Sequence, residues 1–297
     1  MLGDIGTLVL QGAMISAIYA LIAIGFTMIF GVGGILNLAH GALIMAGAYI
    51  FGILVRETTV SWIALHPAIA FPVTVVAVAV LSWGLYQVLV RWVEDNVVIT
   101  FLATVVVAVA STELVIYLFG DTPMGMTLIS GALNLEPFGI NARPRYVQFA
   151  GFVVSWIAIG LLWFYITKTD DGRSILAASM SERGAQLTGV DLHSVRAKTW
   201  LIAGALAGIA GIFLGSTGSA TPLMWLNPLA LAFIIVVIGG IGSIKGSVVA
   251  AYFIGFLEQF TVTFVGQGFR GILSLVVLAI FLLYLPQGLY GREFVHD

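Results

Sequence analysis

The stretch Gly31-Val-Gly-Gly-Ile-Leu-Asn-Leu-Ala-His-Gly41 carries four glycines, one asparagine and one histidine between two apolar runs. Glycine frees the backbone, and Asn37 and His40 bring hydrogen-bonding groups that lipid does not tolerate unless protein surrounds them. One reading is a discontinuous helix lining a cavity, with backbone groups open to a solute. The other is an ordinary turn in which Asn37 caps the next helix. His40 is expected to be a structural hydrogen-bonder rather than a proton carrier. Two carboxylates, Glu113 and Glu258, also fall inside apolar runs, each towards the outer third. An ionisable group in a membrane is a functional hypothesis by default. Both lie close enough to an interface to reach water, which favours cavity-lining or structural roles over ion coupling.

Other chemistry is excluded by what is missing. The chain has no cysteine, so disulfides, thiolate metal sites and a cysteine nucleophile are all ruled out, and no metal site is expected. The 239–248 stretch, GGIGSIKGSV, resembles a phosphate loop but lacks the glycine before Lys245 and the Ser/Thr after it. Nucleotide chemistry must therefore sit on a partner. Ser216-Thr-Gly-Ser219 is a weak serine-nucleophile lookalike with no base beside it, and a membrane protease is discounted.

The elements that position these residues follow from composition. Hydrophobic residues make up 60% of the 297, charged residues only 9%, and the mean hydropathy is +1.10. Soluble domains carry about 25% charged residues, so the surface must face lipid. The expected fold is all-α, a polytopic transmembrane bundle of eight to ten spans forming a single domain over 1–297. Apolar runs near 8–30, 35–55, 62–90, 97–119, 147–167, 199–217, 228–244, 247–265 and 271–285 give nine spans. Pro67 and Pro72 suggest that the third begins near Phe71. The runs are too long for barrel strands. No basic residues precede the first run, so it is expected to remain as a helix rather than leave as a signal peptide. The net charge of −2 gives no reason to expect a nucleic-acid partner.

The longest charged linker, 168–198, holds Lys168, Arg173, Arg183, Arg196 and Lys198 and is assigned to the cytoplasm. Alternation then puts Arg91, Lys245 and Arg292 inside as well, with Arg56, Arg143, Arg145 and Arg270 outside. This gives an external N-terminus, provided that 31–41 does not re-enter the membrane. Within the linker, Leu176, Met180 and Leu187 fall on one stripe of a helix running from Ser174 to Thr188. Gly189 reads as its left-handed stop, Val190 as the hydrophobic residue after it, and Asp191 as the cap of the next helix. A helix–Gly–helix facing the cytoplasm is a docking shape; the alternative is a helix lying on the headgroups. In 199–217, Gly204, Gly208, Gly211 and Gly215 lie within about 60° of one face, widened by Ala203, Ala207 and Ala210. They form a groove that suits close helix approach, either static or sliding during transport. The 120–146 loop is rich in turn residues and reads as a connector or as a contact for an external solute-binding protein.

Four segments carry a family resemblance. Tyr19-Ala-Leu-Ile-Ala-Ile-Gly-Phe-Thr-Met-Ile-Phe-Gly31 with Ile35-Leu-Asn-Leu-Ala-His-Gly41 resembles the LivH-type permease of branched-chain amino acid ABC importers. Gln186-Leu-Thr-Gly-Val-Asp191 with Ala205-Leu-Ala-Gly-Ile-Ala-Gly211 does too, as do Val237-Ile-Gly-Gly-Ile-Gly-Ser-Ile-Lys-Gly246 and Leu285-Pro-Gln-Gly-Leu-Tyr-Gly291. The resemblance spans essentially the whole chain. It implies a heteromeric importer in the cytoplasmic (inner) membrane of a prokaryote. The partners implied are a LivM-type permease, two ABC ATPase subunits holding ATP and Mg, and an extracytoplasmic solute-binding protein; this chain is not itself an enzyme and holds no cofactor. Linker 174–191 then corresponds to the ATPase-coupling helices, with Met180, Glu182, Arg183, Leu187, Gly189 and Asp191 as coupling residues. The expected substrate path comprises Tyr19, Asn37, His40, Gly41, Glu113 and Glu258. The alternative is a secondary transporter or channel for a small polar solute such as an amide or urea; an intramembrane enzyme is a third class.

Overall fold

The computed structural model describes residues 2–56, 64–134, 143–285 and 287–291. The entry of the third run at 62–63, residues 135–142 of the long loop, Pro286 and Arg292 lie outside the described residues. Among those described, the chain forms eleven α-helices and no strand beyond two isolated bridges. They are α1 (Leu2–Gly33), α2 (Ala39–Val55), α3 (Pro67–Val88), α4 (Val97–Phe119), α5 (Tyr146–Lys168), α6 (Asp170–Met180), α7 (Glu182–Leu187), α8 (Leu192–Thr217), α9 (Leu226–Gly239), α10 (Ile244–Phe260) and α11 (Ile272–Tyr284).

Seven helical segments are long and apolar enough to cross a membrane, α3, α10 and α11 counting with their adjoining turns as Pro67–Trp92, Ile244–Val265 and Gln267–Tyr284. The other two apolar helices, α2 with 17 residues and α9 with 14, are short. At 1.5 Å per residue they reach only about 25 and 21 Å, less than the ~30 Å of a hydrocarbon core. The expectation of nine spans is corrected to seven full-length helices and two short ones. The reason is that each short helix starts inside the bundle after a stretch of irregular backbone, 34–38 before α2 and 218–225 before α9. Two boundaries also move. The third run is helical from Pro67 rather than Phe71, because proline suits the first helical position and the His66 ring accepts from Ala68 N–H. The single linker helix expected over 174–188 is instead two helices, broken at Ser181. That residue is extended (φ −162°), and its hydroxyl caps α7 by accepting from Gly184 N–H at 3.0 Å.

The helices alternate in direction. The end of α1, the α3–α4 turn, the end of α5, the start of α8 and the α9–α10 turn gather at the end that carries the linker. Arg56, Arg143, Arg145 and Arg270 belong to the opposite end. Residues 34–38 turn back into the bundle without altering this alternation, because α1 and α2 remain antiparallel.

The helices α1–α4 and α8–α11 repeat one plan in opposite orientation: a long helix, a break, a short helix, then two more helices. Their packing follows the same exchange. The α1 helix runs along α10, and α8 runs along α3, while α1 and α8 cross at the centre. These two are the most enclosed long helices, with 83% and 78% of their apolar windows buried, against 11% for α11. Transporter folds are often built from such inverted repeats, with their sites at discontinuous helices.

Glycine makes the close crossings possible. A Cβ at Gly204 would meet Ser82 and Val78 of α3, and one at Gly208 would lie 3.1 Å from Val78 Cβ. A Cβ at Gly211 would overlap the carbonyl of Ile44 in α2, and one at Gly215 would lie 3.0 Å from Ala48 Cβ. The groove of α8 is therefore filled within the chain, by α3 along one half and α2 along the other. Gly84, on the outward face of α3, has open space around it. Gly211→Val is expected to lower stability by about 3 kcal/mol or more by overpacking, whereas Gly84→Ala should leave it unchanged or slightly raised. Thermal unfolding in detergent compares the two.

Candidate functional site

The α1 helix ends at Gly33, and Gly34 follows in the left-handed region (φ +62°), where glycine bears no Cβ penalty. The chain then climbs back into the bundle until α2 starts at Ala39. Its backbone groups are met by α4: Thr104 Oγ1 accepts from Leu38 N–H at 3.2 Å and lies 3.4 Å from Leu36 O, within donating distance. His40 is fully buried. Its Nε2–H donates to Ile22 O at 3.2 Å, so Nδ1 is left as an acceptor without a partner. The ring occupies the space left by Gly25, where a Cβ would collide with it, and meets Phe26 edge-on at 6.0 Å.

Asn37 is 1% exposed, and neither its amide nitrogen nor its oxygen has a partner. The capping reading is thereby corrected: Leu38 occupies the N-cap position of α2, with no side-chain cap bond. Leaving a buried polar group unsatisfied costs about 1–3 kcal/mol, and Asn37 does so with both ends of its amide. Gly41, one turn on, packs beneath Trp225, whose carbonyl oxygen would lie 3.0 Å from an added Cβ.

The second break answers the first. Ala220 pairs with Met124 through two backbone bonds of 2.8 and 2.9 Å, which ties 218–225 to the 120–134 loop. Trp225 Nε1–H donates to Thr112 Oγ1 at 2.8 Å. Thr104 and Thr112 lie two turns apart on the buried face of α4, so one helix serves both breaks.

Two cavities flank this region. The one at the end opposite the linker, about 430 Å³, is lined by Tyr19, Glu258, Arg145, Gln148, Gln11 and Arg270, among others. Tyr19 is 2% exposed and accepts from Arg270 Nη2 at 2.7 Å. Glu258 is also 2% exposed. It accepts from Gly271 N–H at 3.0 Å and from the Ser274 hydroxyl, and faces Arg270 Nε at 3.6 Å. It therefore supplies the cap that the start of α11 lacks. The second cavity, about 1250 Å³, opens at the linker end and includes Thr27, Gly31–Gly34, Met180, Glu182 and Lys245. Along α1 the two are separated by the stretch from Tyr19 to Thr27, about 12 Å, which His40 packs against. Glu113 stands apart, exposed on α4.

At the linker, Thr169 caps α6 and Asp191 caps α8 by accepting from His193 N–H at 3.0 Å. Gly189 adopts φ +85°, as its reading as a left-handed stop requires. Ile175, Ala178 and Ala185 bury against Met28, Val32, Ile166 and Val195. Leu176, Met180 and Leu187 instead face outward, at 46%, 59% and 82% exposure, with Arg183 exposed beside them. Ser216, discounted above as a nucleophile, has its Oγ buried without a partner. Two other polar contributors escaped the sequence reading. Tyr49 Oη is also buried without a partner, but a lone tyrosine in an apolar run carries no pattern. Glu94 pairs with Arg196 at 2.9 Å, and a spacing of a hundred residues gives no local sign of that.

The chain matches, over residues 8–285, the family described as "Branched-chain amino acid transport system / permease component". The high-affinity branched-chain amino acid transport system permease protein LivH of Escherichia coli (strain K12) is 26% identical over 291 residues, covering 95% of this chain and 94% of that protein. The corresponding protein BraD of Pseudomonas aeruginosa is 27% identical over 289 residues, with 95% and 94% covered. The autoinducer 2 import system permease protein LsrD of Yersinia pseudotuberculosis is 25% identical over 256 residues, with 80% and 71% covered. No solved structure matches the chain. A helical bundle with two helix breaks, matched almost end to end by this one family, belongs to the permease components of branched-chain amino acid transport systems.

Proposed function

We propose that this chain is the permease subunit of an ATP-driven importer that moves branched-chain or related neutral amino acids across the cytoplasmic membrane of a prokaryote. The observation that carries this is the family match over residues 8–285, which includes both breaks and the linker. The partners are a second, LivM-type permease, two ABC ATPase subunits that hold ATP and Mg, and an external solute-binding protein. The exposed Leu176, Met180, Leu187 and Arg183 form the surface on which an ATPase docks. Leu187, at 82% exposure on a six-residue helix, has no structural reason to be apolar in water.

Transport proceeds by alternating access between the two cavities. Solute enters at Tyr19 and Arg270, and the barrier formed by His40, Ile22 and Phe26 reopens towards the linker end. Asn37 reads the solute's charged end, since its amide can both donate and accept. A zwitterionic amino acid presents a carboxylate and an ammonium that use both. The rival reading, an ion-coupled carrier, finds no free acid at the site among the described residues. Glu258 is committed to Gly271, Ser274 and Arg270, and Glu113 faces outward.

Purification on a tag carried by this chain should bring down ATPase chains. The complex in liposomes should take up labelled leucine with ATP and without any ion gradient; uptake driven by a proton or sodium gradient without ATPase chains is the opposing result. Leu187→Asp should abolish ATP-driven uptake while leaving membrane insertion intact, as read by fractionation and transport. Asn37→Leu removes an unpaired buried amide at similar volume, so the melting temperature should hold or rise. Uptake should nonetheless fall about 10- to 100-fold, the worth of a hydrogen bond to a charged group. Unchanged uptake would show that Asn37 has no part in the path.

A further inference from the structure

Arg196, on the second turn of α8, sits where four segments meet. Its Nη1 is 2.9 Å from Glu94 Oε1, on the α3–α4 turn, and its Nη2 is 2.8 Å from Glu182 Oε1, the first residue of α7. Its remaining nitrogen, Nε, is buried without a hydrogen-bond partner and lies beneath the end of α1; a Cβ on Gly33 would be 3.6 Å from it. The guanidinium and Glu94 are largely enclosed, at 17% and 13% side-chain exposure, while Glu182 is 43% exposed. A planar fork holds two carboxylates on different segments in fixed directions, which a rotating ammonium does not.

The other anchors of the linker differ in kind. The α6 helix is seated by apolar contacts with α1 and α5, and Asp171 meets Lys198 at the exposed surface. The α7 helix buries only Ala185. Its first turn is connected to the membrane helices through Glu182 and Arg196. From there, one side chain reaches both the turn that feeds α4, whose threonines serve the two breaks, and Gly33, after which the first break begins.

We propose that Arg196 is the positioning residue through which displacement of α7 reaches the broken segment at 34–38. This rests on the reading of α6–α7 as the ATPase-docking element. When α7 moves, Glu182 draws the guanidinium with it. The guanidinium bears on the end of α1 and on Glu94, so the segment bearing Asn37 shifts along with the α4 turn. The two bonds act as one linkage, because Glu182 meets both the end of α1 and the α4 turn through the one guanidinium that Glu94 holds in place.

The test uses the complete transporter, purified through this chain and reconstituted in liposomes, with labelled leucine and, in parallel, a labelled mixture of neutral amino acids. Glu182→Gln removes the half-exposed partner and leaves the Arg196–Glu94 pair in place, so folding is preserved. Arg196→Lys keeps the charge beside Glu94 but loses the fork. Each is expected to retain ATP hydrolysis while solute moved per ATP falls about 2- to 30-fold, the usual range for residues that carry coupling. The double variant should be no worse than the poorer single one, because both break the same linkage. Wild-type transport per ATP in both single variants, or additive losses in the double, overturns the assignment of Arg196 alone. A lowered melting temperature with parallel loss of hydrolysis and transport in both variants marks the cluster as purely structural and also overturns it. A wild-type complex that hydrolyses no ATP, or hydrolyses it without moving solute, instead overturns the importer reading on which the proposal rests.

Discussion

Non-helical backbone can enter hydrocarbon only where protein encloses it, and this bundle is arranged around enclosing two such stretches. Residues 34–38 and 218–225 leave backbone groups that helices cannot satisfy. Each is placed where α4 offers a threonine: Thr104 to Leu38 N–H and Leu36 O, Thr112 to the indole of Trp225. Enclosure in turn demands that α2 lie close against α8. Gly47 and Gly211 make that possible, since a Cβ on either would press on the facing helix. The small residues, the polar face of α4 and the shortness of α2 and α9 are thus consequences of one requirement.

The first break is enclosed from Ile35 to Ala39, and there the backbone and the side chains fare differently. The N–H groups of Gly34 and Leu38 and the carbonyls of Leu36 and Asn37 find partners, yet the Asn37 amide and the Nδ1 of His40 do not. A fold able to place two threonines so accurately, but leaving the amide of Asn37 buried at 1% exposure without a partner, has not been optimised for stability at that position. Strained or unsatisfied groups persist where function returns the cost. The distinction matters because Glu258, which the sequence marks with equal emphasis, is fully satisfied and caps α11. Burial of a polar residue says little by itself; the state of its hydrogen bonds separates the two.

Much of the fold was legible because hydropathy is additive along the chain. The ends of α4 and α5 fall within about a residue of the apolar runs that announced them. The first break was legible too, since glycines beside Asn37 and His40 contradict a lipid-facing helix. The second was not: Ser219-Ala-Thr-Pro-Leu-Met-Trp225 is apolar enough to pass for a loop or a span edge, and its pairing with Met124 spans ninety-six positions. The linker shows the same limit at shorter range. The stop at Gly189 and the cap at Asp191 depend on local chemistry and were readable, whereas the break at Ser181 depends on α6 being seated against α1 and α5. The inverted repeat has no periodic sequence signal, because opposite orientation places the same structural need on different residues.

Energetics at the linker end differ from those in the core for a physical reason. Between helices in lipid there is no hydrophobic driving force, so the bundle relies on van der Waals contact and on small residues that allow it. At the surface water returns, and apolar contact regains its strength. That is where α6 buries Ile175 and Ala178 while Leu176 and Met180 remain outside. A helix pair seated on one side by apolar contact, and still exposing apolar side chains on the other, is placed to move with whatever covers it. The only rigid way to pass such movement inward is through groups that resist separation more strongly than methyl groups do. A forked guanidinium between two carboxylates meets that condition, and it stands where α7, the α4 turn and the end of α1 come within one side chain's reach.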